Sequence, residues 1–190
     1  MGESLVCYYR AMARNNAWSN HRLLGACATL TQAEFEASRV SFFPSLTLTL
    51  QHILFVDRYY IDALEGRPRA YSEDAAVATA AELRGAQSAS DRRLIAVCDR
   101  LDADALTRPV RLVRDADRIV EDGTQRVLAH LFTHQIHHRG QAHAMLAGTS
   151  VAPPQLDEFL LGSDAPLRSA DLAALGFGEA ETWPGGTGKQ

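Results

Sequence analysis

The chain has 190 residues, of which 46% are hydrophobic and 22% charged, and its formal net charge is −4. These values are typical of a globular domain and exclude a disordered chain, and the slight acidity argues against a broad basic surface for nucleic acid. No apolar run approaches the roughly 20 residues of a membrane span, and the N-terminus lacks the pattern of a secretory signal. Its three cysteines, Cys7, Cys27 and Cys98, are too widely spaced for a disulfide framework or a CxxC metal site, which favours a cytoplasmic protein.

The first half of the chain predicts two long helices. Apolar residues recur with helical period over residues 4–30, and Thr31 opens a capping-box pattern that predicts a short helical turn. Pro44 predicts a loop ahead of Ser45, because proline disfavours helical geometry in the residue before it. Ser45 can then cap a second long helix, which ends near Glu65.

The second half predicts two more long helices with a different element between them. Residues 77–101 predict a third helix, and residues 108–123 alternate apolar and charged side chains as a short β-hairpin does. A fourth helix runs from residue 123 or 124 to about residue 148. Residues 156–161, LDEFLL, predict a last short helix, and the glycine-rich end, WPGGTGKQ, is expected to fray.

These elements predict an all-α fold, a four-helix bundle with a short β-hairpin before the fourth helix. We expect the bundle to occupy residues 1–162 and a partly irregular C-terminal extension to occupy residues 163–190. Helix bundles build cofactor and metal sites from side chains on facing helices, so the long helices are where a site is expected.

The fourth predicted helix carries most of the histidines of the chain. On a helical wheel, His130, His134, His137 and His138 fall within an arc of roughly 100°, which we interpret as facing the core, while His143 points away and is expected to be solvated. Buried imidazoles need partners, and a divalent metal is an efficient one. The alternative is that these histidines are exposed or hydrogen-bonded to carboxylates. The i,i+4 spacing of His134 and His138 is also that of helical zinc ligands.

The second predicted helix offers a further imidazole. His52 lies in the middle of an apolar stripe, and three histidines from two facing helices would form an open, reactive metal site. Asp57 and Arg58 fall on other faces of this helix, where we expect ion pairs at the surface or at a subunit contact. On the first helix, Asn16 and Asn20 lie inside the apolar stripe; they either orient a ligand or bond to nearby backbone and water.

Three segments resemble the DinB-like superfamily. They are NAWSNHRLL (16–24), LTLQHILFVDRYYIDALEG (48–66) and VLAHLFTHQIHHRGQAHAML (127–146). The resemblance implies an up-down-down-up four-helix bundle, often a homodimer. It also implies that His52, His134 and His138 hold a divalent metal, commonly zinc or nickel, whose coordination is completed by solvent.

What the resemblance implies about function leaves three hypotheses. Relatives include S-transferases that use bacillithiol or mycothiol, and a maleylpyruvate isomerase. The first hypothesis is therefore a metal-dependent enzyme that activates a low-molecular-weight thiol for a small-molecule substrate, with Asn20, His130, His137 and Gln141 supporting the metal ligands or contacting the substrate. The second is a non-catalytic, metal-stabilised stress-response or binding protein, and the third a metal-dependent hydrolase. Nucleic-acid binding by the Arg-rich hairpin is disfavoured, because acidic residues are interleaved with its arginines.

Overall fold

A computed structural model describes residues 2–68, 79–114 and 118–183 of the chain. The helices are α1 (Gly2–Cys27), α2 (Gln32–Glu36), α3 (Leu46–Leu64), α4 (Ala80–Asp99), α5 (Thr124–Leu146), α6 (Ala165–Leu175) and α7 (Glu179–Thr182), and the strands are β1 (Pro109–Val113) and β2 (Ile119–Gly123). The four predicted long helices are thus confirmed as α1, α3, α4 and α5. The predicted hairpin turn at 115–117, most of the predicted loop 66–76 and all but the first residue of the predicted frayed end lie outside the described residues.

Local side-chain caps set where α2 and α3 begin. Thr31 and Glu34 form the expected capping box at the start of α2. The Oγ of Ser45 accepts a hydrogen bond from the backbone N–H of Leu48 at 3.1 Å and so caps α3, as predicted. Each cap satisfies backbone donors that the first helical turn leaves unpaired.

Contacts between residues show the direction of each long helix. Along α1 and α4 the paired residues run in opposite directions, as they do along α3 and α5, whereas along α3 and α4 they run in the same direction. The contacts that show this are Arg14–Asp99, Asn20–Asp91, Tyr60–His130, His52–His138, Asp57–Gln87 and Asp62–Arg93. The bundle is therefore up-down-down-up, with α1 and α3 diagonal to each other.

The interior of the bundle has a polar layer between two apolar ones. One apolar cluster is built around Leu94 and Leu128, and the other around Leu23 and Ile53. Residues 16–20 of α1 and 135–139 of α5 lie between the two clusters in sequence and contribute buried amide and charged side chains. Buried polar groups need partners, so this layer is where a site or a hydrogen-bonded network is expected.

The strands form the predicted hairpin, with β1 antiparallel to β2 and Val110 opposite Asp122. Val110 and Leu112 point into the bundle and are buried, while Arg111 between them is exposed, which is the alternation expected of a strand with one covered face. The backbone N–H of Thr124 donates to the carbonyl of Arg108 at 3.0 Å and joins the hairpin to the start of α5.

The C-terminal region differs from the sequence prediction. Residues 156–161 are not helical; the chain forms α6 and α7 instead, and α6 packs against α1. Trp18 is fully buried in a small cluster with Phe159 and Leu172, so these two residues anchor the C-terminal region to the bundle, whereas Leu160 and Leu161 are exposed. None of the helices that the structure describes is long and apolar enough to cross a membrane. The domain boundary after residue 162 stays a prediction.

Candidate metal centre

Three imidazoles from α3 and α5 meet at the level of the polar layer, and we call them the three-histidine cluster: His52, His134 and His138. One ring nitrogen from each lies within 4.8 Å of the others, a spacing at which they can hold a metal ion. The Nε2 atoms of His52 and His134 are 3.0 Å apart. The resemblance to the DinB-like superfamily predicts these three residues as one group, and in the structure their ring nitrogens lie close together.

Gln141 orients one of the three imidazoles. The Nδ1 of His138 donates to the Oε1 of Gln141 at 2.8 Å, and the amide of Gln141 donates in turn to the Nε2 of His137 at 3.2 Å. With Nδ1 carrying the proton, the Nε2 lone pair of His138 is left for a metal. Hydrogen bonding of the distal ring nitrogen is how proteins orient metal-ligating histidines. Gln141 and His137, two of the four candidates for supporting roles, thus lie beside the cluster.

The electrostatic setting favours neutral imidazoles. Burial is the main cause that lowers the pKa of His134 to about 3 and that of His52 to about 4, and neighbouring imidazoles contribute to both shifts. Burial likewise lowers the pKa of His138. The Nδ1 of His134 is buried and has no hydrogen-bond partner in the described part of the chain. Neutral imidazoles present lone pairs, so an all-nitrogen set of three fits zinc, nickel or a similar divalent ion.

Two aromatic side chains from the loop before α3 cover one side of the cluster. The ring of Phe43 lies 4.4 Å from that of His52, centroid to centroid, and 5.6 Å from that of His138. Phe42 is next to it, 6.4 Å from the His138 ring, and remains 76% exposed. Sequence reasoning assigned this segment to a loop and missed the two rings; two consecutive phenylalanines just before a capped helix that carries a ligand were the signal that could have found them.

The other histidines of α5 lie less deeply than expected. His130 and His137 are exposed, so the arc interpreted as core-facing has its edges in solvent. The His130 ring contacts Tyr60 at 5.3 Å and lies 6.3 Å from the His134 ring, on the opposite side from the phenylalanines. The prediction for His143 is wrong: it is half-buried, because its Nε2 donates to the carbonyl of Pro154 at 2.8 Å.

Beside the cluster, side chains from all four long helices form a hydrogen-bonded layer that we call the buried polar network. Its members are Asn16, Asn20, Asp57, Gln87, Asp91, Gln135 and Arg139. Asn20 donates to Asp91 at 3.0 Å and accepts from Arg139 at 3.1 Å, so its amide is engaged on both sides within the network. Among the described residues, the hydrogen bonds of the Asn20 side chain go to Asp91 and Arg139 and not to the three histidines, so they do not support its expected role beside the metal ligands.

The expectation for Asp57 is wrong. Its side chain is fully buried and accepts hydrogen bonds from Gln87 and Gln135 instead of forming a surface ion pair. The physical reason is that the covered face of α3 is the one that contains Asp57. The stripe around His52 that we interpreted as the core lies along the rim, where Leu48 is exposed.

The network contains three buried ionisable side chains, Asp57, Asp91 and Arg139, and burial shifts the pKa of each. Burial raises the pKa of Asp57 to about 8 and that of Asp91 to about 6, and for Asp57 the neighbouring Asp91 carboxylate adds to the effect. Burial lowers the pKa of Arg139 to about 10 against the pull of both carboxylates. One guanidinium between two carboxyl groups balances only one negative charge, so the network favours a protonated Asp57.

A comparison with known proteins identifies the family of this fold and cluster. The family model described as the DinB family matches residues 1–165. The chain belongs to the DinB family. The match spans all four long helices and includes the three-histidine cluster, while α6 falls almost entirely beyond it.

Individual relatives of this DinB-family chain are distant. "Protein DinB" of Bacillus subtilis (strain 168) is 23% identical over 160 residues, which cover 76% of this chain and 89% of the relative. The crystal structure of a DinB-like protein from Bacillus cereus ATCC 10987 has a TM-score of 0.57 and 14% identity, and the match covers 73% of this chain and 90% of that one. At this identity the similarity shows the fold.

Proposed function

We propose that this DinB-family protein binds one divalent metal ion, zinc or nickel, through His52, His134 and His138. The observation that carries the proposal is the convergence of three ring nitrogens within 4.8 Å, one of them oriented by Gln141. Three protein nitrogens leave at least one position of a tetrahedral ion for solvent or substrate, which is the pattern of catalytic rather than structural zinc sites.

We further propose that the centre serves a thiol-dependent transfer to a small electrophilic molecule. A divalent ion held here would lower the pKa of a bound small thiol and so supply thiolate at neutral pH. The chain contributes an apolar wall, Phe42 and Phe43, against which the carbon skeleton of the electrophile can pack. His130, beside His134, and His137, beside His138, are both exposed and can contact polar groups of either reactant.

The exposed rim favours this reaction over a purely structural metal. Phe42 is 76% exposed and Val40 is fully exposed, so the loop beside the cluster presents apolar surface to solvent instead of closing over the site. A structural clamp between α3 and α5 has no need for such a surface. Exposed apolar side chains beside a metal centre are typical of a binding site for a ligand.

Metal content tests the first part of the proposal. Untagged wild type, His134→Ala and the control His143→Gln are purified without added metal or chelator and analysed by mass spectrometry. We expect about one zinc or nickel per chain in the wild type and the control, and loss of the metal in His134→Ala, because two imidazoles hold a divalent ion far more weakly than three. A wild type that stays metal-free after soaking in zinc and in nickel would rule the centre out.

A thiol-transfer assay tests the second part. The metal-loaded protein is mixed with 1-chloro-2,4-dinitrobenzene and, in separate reactions, cysteine, glutathione or bacillithiol, and formation of the thioether is followed by absorbance. We expect at least one thiol to react faster with wild type than with His134→Ala, with the sulfur–carbon bond formed, chloride released and the thiol proton passed to solvent. Equal rates with every thiol contradict the transferase, and ester hydrolysis lost in His134→Ala would favour the hydrolase instead.

A further inference from the structure

A cavity lies between α1, α4 and α6, apart from the helices that carry the three-histidine cluster. Its volume is about 390 Å³, and none of its lining residues belongs to α3 or α5. This volume is within the range of small-molecule sites. α1 and α4 line two sides of the cavity. The remaining side is lined by Ala174, Leu175 and Phe177, which lie in or just after α6 and beyond the part of the chain that the family model matches.

One wall of the cavity is cationic. Arg84, Ser88 and Arg92 stand on successive turns of α4 and face the cavity together. Arg92 donates to the hydroxyl of Ser88 at 2.8 Å, and the guanidinium of Arg84 lies against α1, 4.0 Å from where a Cβ on Gly25 would be. Within the described ranges, neither guanidinium has a carboxylate at ion-pair distance. Two arginines without carboxylate partners beside a cavity favour an anionic ligand.

The carboxylates around the cavity are already engaged and do not cancel this charge. Asp91 on the floor is 4% exposed and accepts hydrogen bonds from members of the buried polar network, Asn20 among them. Asp171 of α6 is bound by Arg22 at 2.6 Å and by the indole N–H of Trp18 at 3.1 Å. The charge left for a ligand is therefore positive.

Apart from His21 of α1, the remaining lining is apolar. Leu24 and Ile95 come from the bundle, and Leu175 and Phe177 come from the C-terminal segment. Gly85 lines the cavity and is exposed, and an added Cβ there would meet nothing within 4 Å, so a side chain at this position has open space to enter. The cavity thus offers a guanidinium wall on one side and an apolar wall on the other.

We propose that this cavity binds a small organic carboxylate with an apolar body. Its carboxylate pairs with the guanidiniums of Arg84 and Arg92, which can bind such a group through two parallel hydrogen bonds, and its apolar part packs against the C-terminal segment. The site is independent of the metal centre and gives the C-terminal segment a role that the family match does not.

Isothermal titration calorimetry on the full metal-loaded chain tests the proposal. The probes are naphthalene-2-carboxylate and octanoate, with naphthalene-2-carboxamide as the uncharged match of the first. We expect one site per chain and at least about tenfold tighter binding of naphthalene-2-carboxylate than of the amide, since a charge-assisted pair is lost with the charge. No saturable binding of either carboxylate up to millimolar concentration, or equal binding of acid and amide, overturns the proposal.

Variants locate the site. We expect Arg84→Gln combined with Arg92→Gln to weaken carboxylate binding at least about tenfold and to abolish the preference over the amide, while Arg100→Gln, at the end of the same helix, changes neither. Gly85→Leu fills the open space and should remove binding of both ligands without unfolding the helix, because leucine is a better helix former than glycine. If the double arginine variant binds naphthalene-2-carboxylate as wild type does, the carboxylate sits elsewhere, such as on a metal held by the histidines, and the proposal fails.

Discussion

The three-histidine cluster, which comes from α3 and α5, and the buried polar network, which comes from all four long helices, lie side by side, yet they are built differently. Adjacent residues of α5, His134 and Gln135, belong one to each, because successive side chains of a helix point about 100° apart. In the network, carboxylates, amides and a guanidinium satisfy one another, with the Oε1 of Gln135 as the exception among the described residues. In the cluster, ring nitrogens point at each other, and the Nδ1 of His134 has no partner among the described residues. Polar groups that complete one another serve the scaffold, whereas convergent lone pairs need a ligand.

The largest expected effect comes from breaking the network at Arg139, which is 5% exposed. We expect Arg139→Leu to lower the free energy of unfolding by about 3–5 kcal/mol, because it leaves the carboxylate of Asp91 buried without its cation. Urea unfolding followed by circular dichroism measures this. As a control on the same helix, Arg126→Leu removes an exposed ion pair with Asp122 and should cost less than about 1 kcal/mol. Equal costs for the two variants would show that the network is not a stabilising element.

The cluster is expected to contribute to stability only through its ligand. Zinc at one hundred times its dissociation constant should raise the free energy of unfolding by about 2.7 kcal/mol, provided that it binds the folded chain alone. Excess chelator reverses the gain. His134→Ala should lose the gain and leave the chelated protein close to wild type, since a half-buried imidazole with an unpaired nitrogen stabilises little by itself. A zinc effect of the same size in His134→Ala would place the binding outside the cluster.

The contrast between the two regions also explains what the sequence could predict. The helical period of apolar residues, the cap at Ser45 and the alternation along the strands are all local signals, so the sequence predicts the long helices and the hairpin correctly. The network was missed because Asp57 was judged by its angle from His52. That angle says that the two side chains diverge, but not which of them faces the interior. On α3 both faces carry apolar residues, so the pattern alone could not identify the covered one.

The C-terminal segment was missed for a different reason. Phe159 and Leu172 are separated along the chain, and the burial of each depends on Trp18, which lies far away in sequence on α1. No local periodicity reports a contact of that kind. For the cluster, the helical wheel placed four histidines of α5 on one arc, and the resemblance to the DinB-like superfamily singled out His134 and His138. In the structure, the position of α3 separates these two from the exposed His130 and His137.

A smaller effect is expected from the residue that orients His138. Gln141→Leu removes the acceptor of the Nδ1 proton, and loss of such a partner typically weakens metal binding by roughly 10–100-fold. Gln141→Glu keeps an acceptor at the same position and should keep the affinity close to that of wild type. Competition with a chromophoric zinc chelator measures both. If Gln141→Leu binds zinc as tightly as wild type, the hydrogen bond at 2.8 Å does not orient a ligand.

The smallest expected effect is a difference between the network and the cluster in how each makes the free energy of unfolding depend on pH. Burial raises the pKa of Asp57 to about 8, whereas in the unfolded chain it is ordinary, near 4. The stabilisation from this neutral carboxyl is therefore complete below about pH 4 and is lost as the pH rises to about 8. The cluster works in the opposite sense, because its lowered histidine pKa values make stability increase with pH, but only up to the ordinary histidine value near 6.5. Asp91, whose pKa is about 6, acts in the same sense as Asp57 and also at lower pH.

Between pH 6.5 and 8, the difference between wild type and Asp57→Asn isolates Asp57, because the contributions of the histidines and of Asp91 are common to both proteins. In chelator, we expect the free energy of unfolding of wild type to fall by on the order of 1 kcal/mol relative to that of Asp57→Asn across this interval. Asparagine suits the site because Gln135 has a buried Oε1 without a partner in the described structure, which an amide N–H or a protonated carboxyl can satisfy once the Gln135 amide is turned. Parallel pH profiles for the two proteins would mean that Asp57 is ionised in the folded state and that Arg139 compensates both carboxylates.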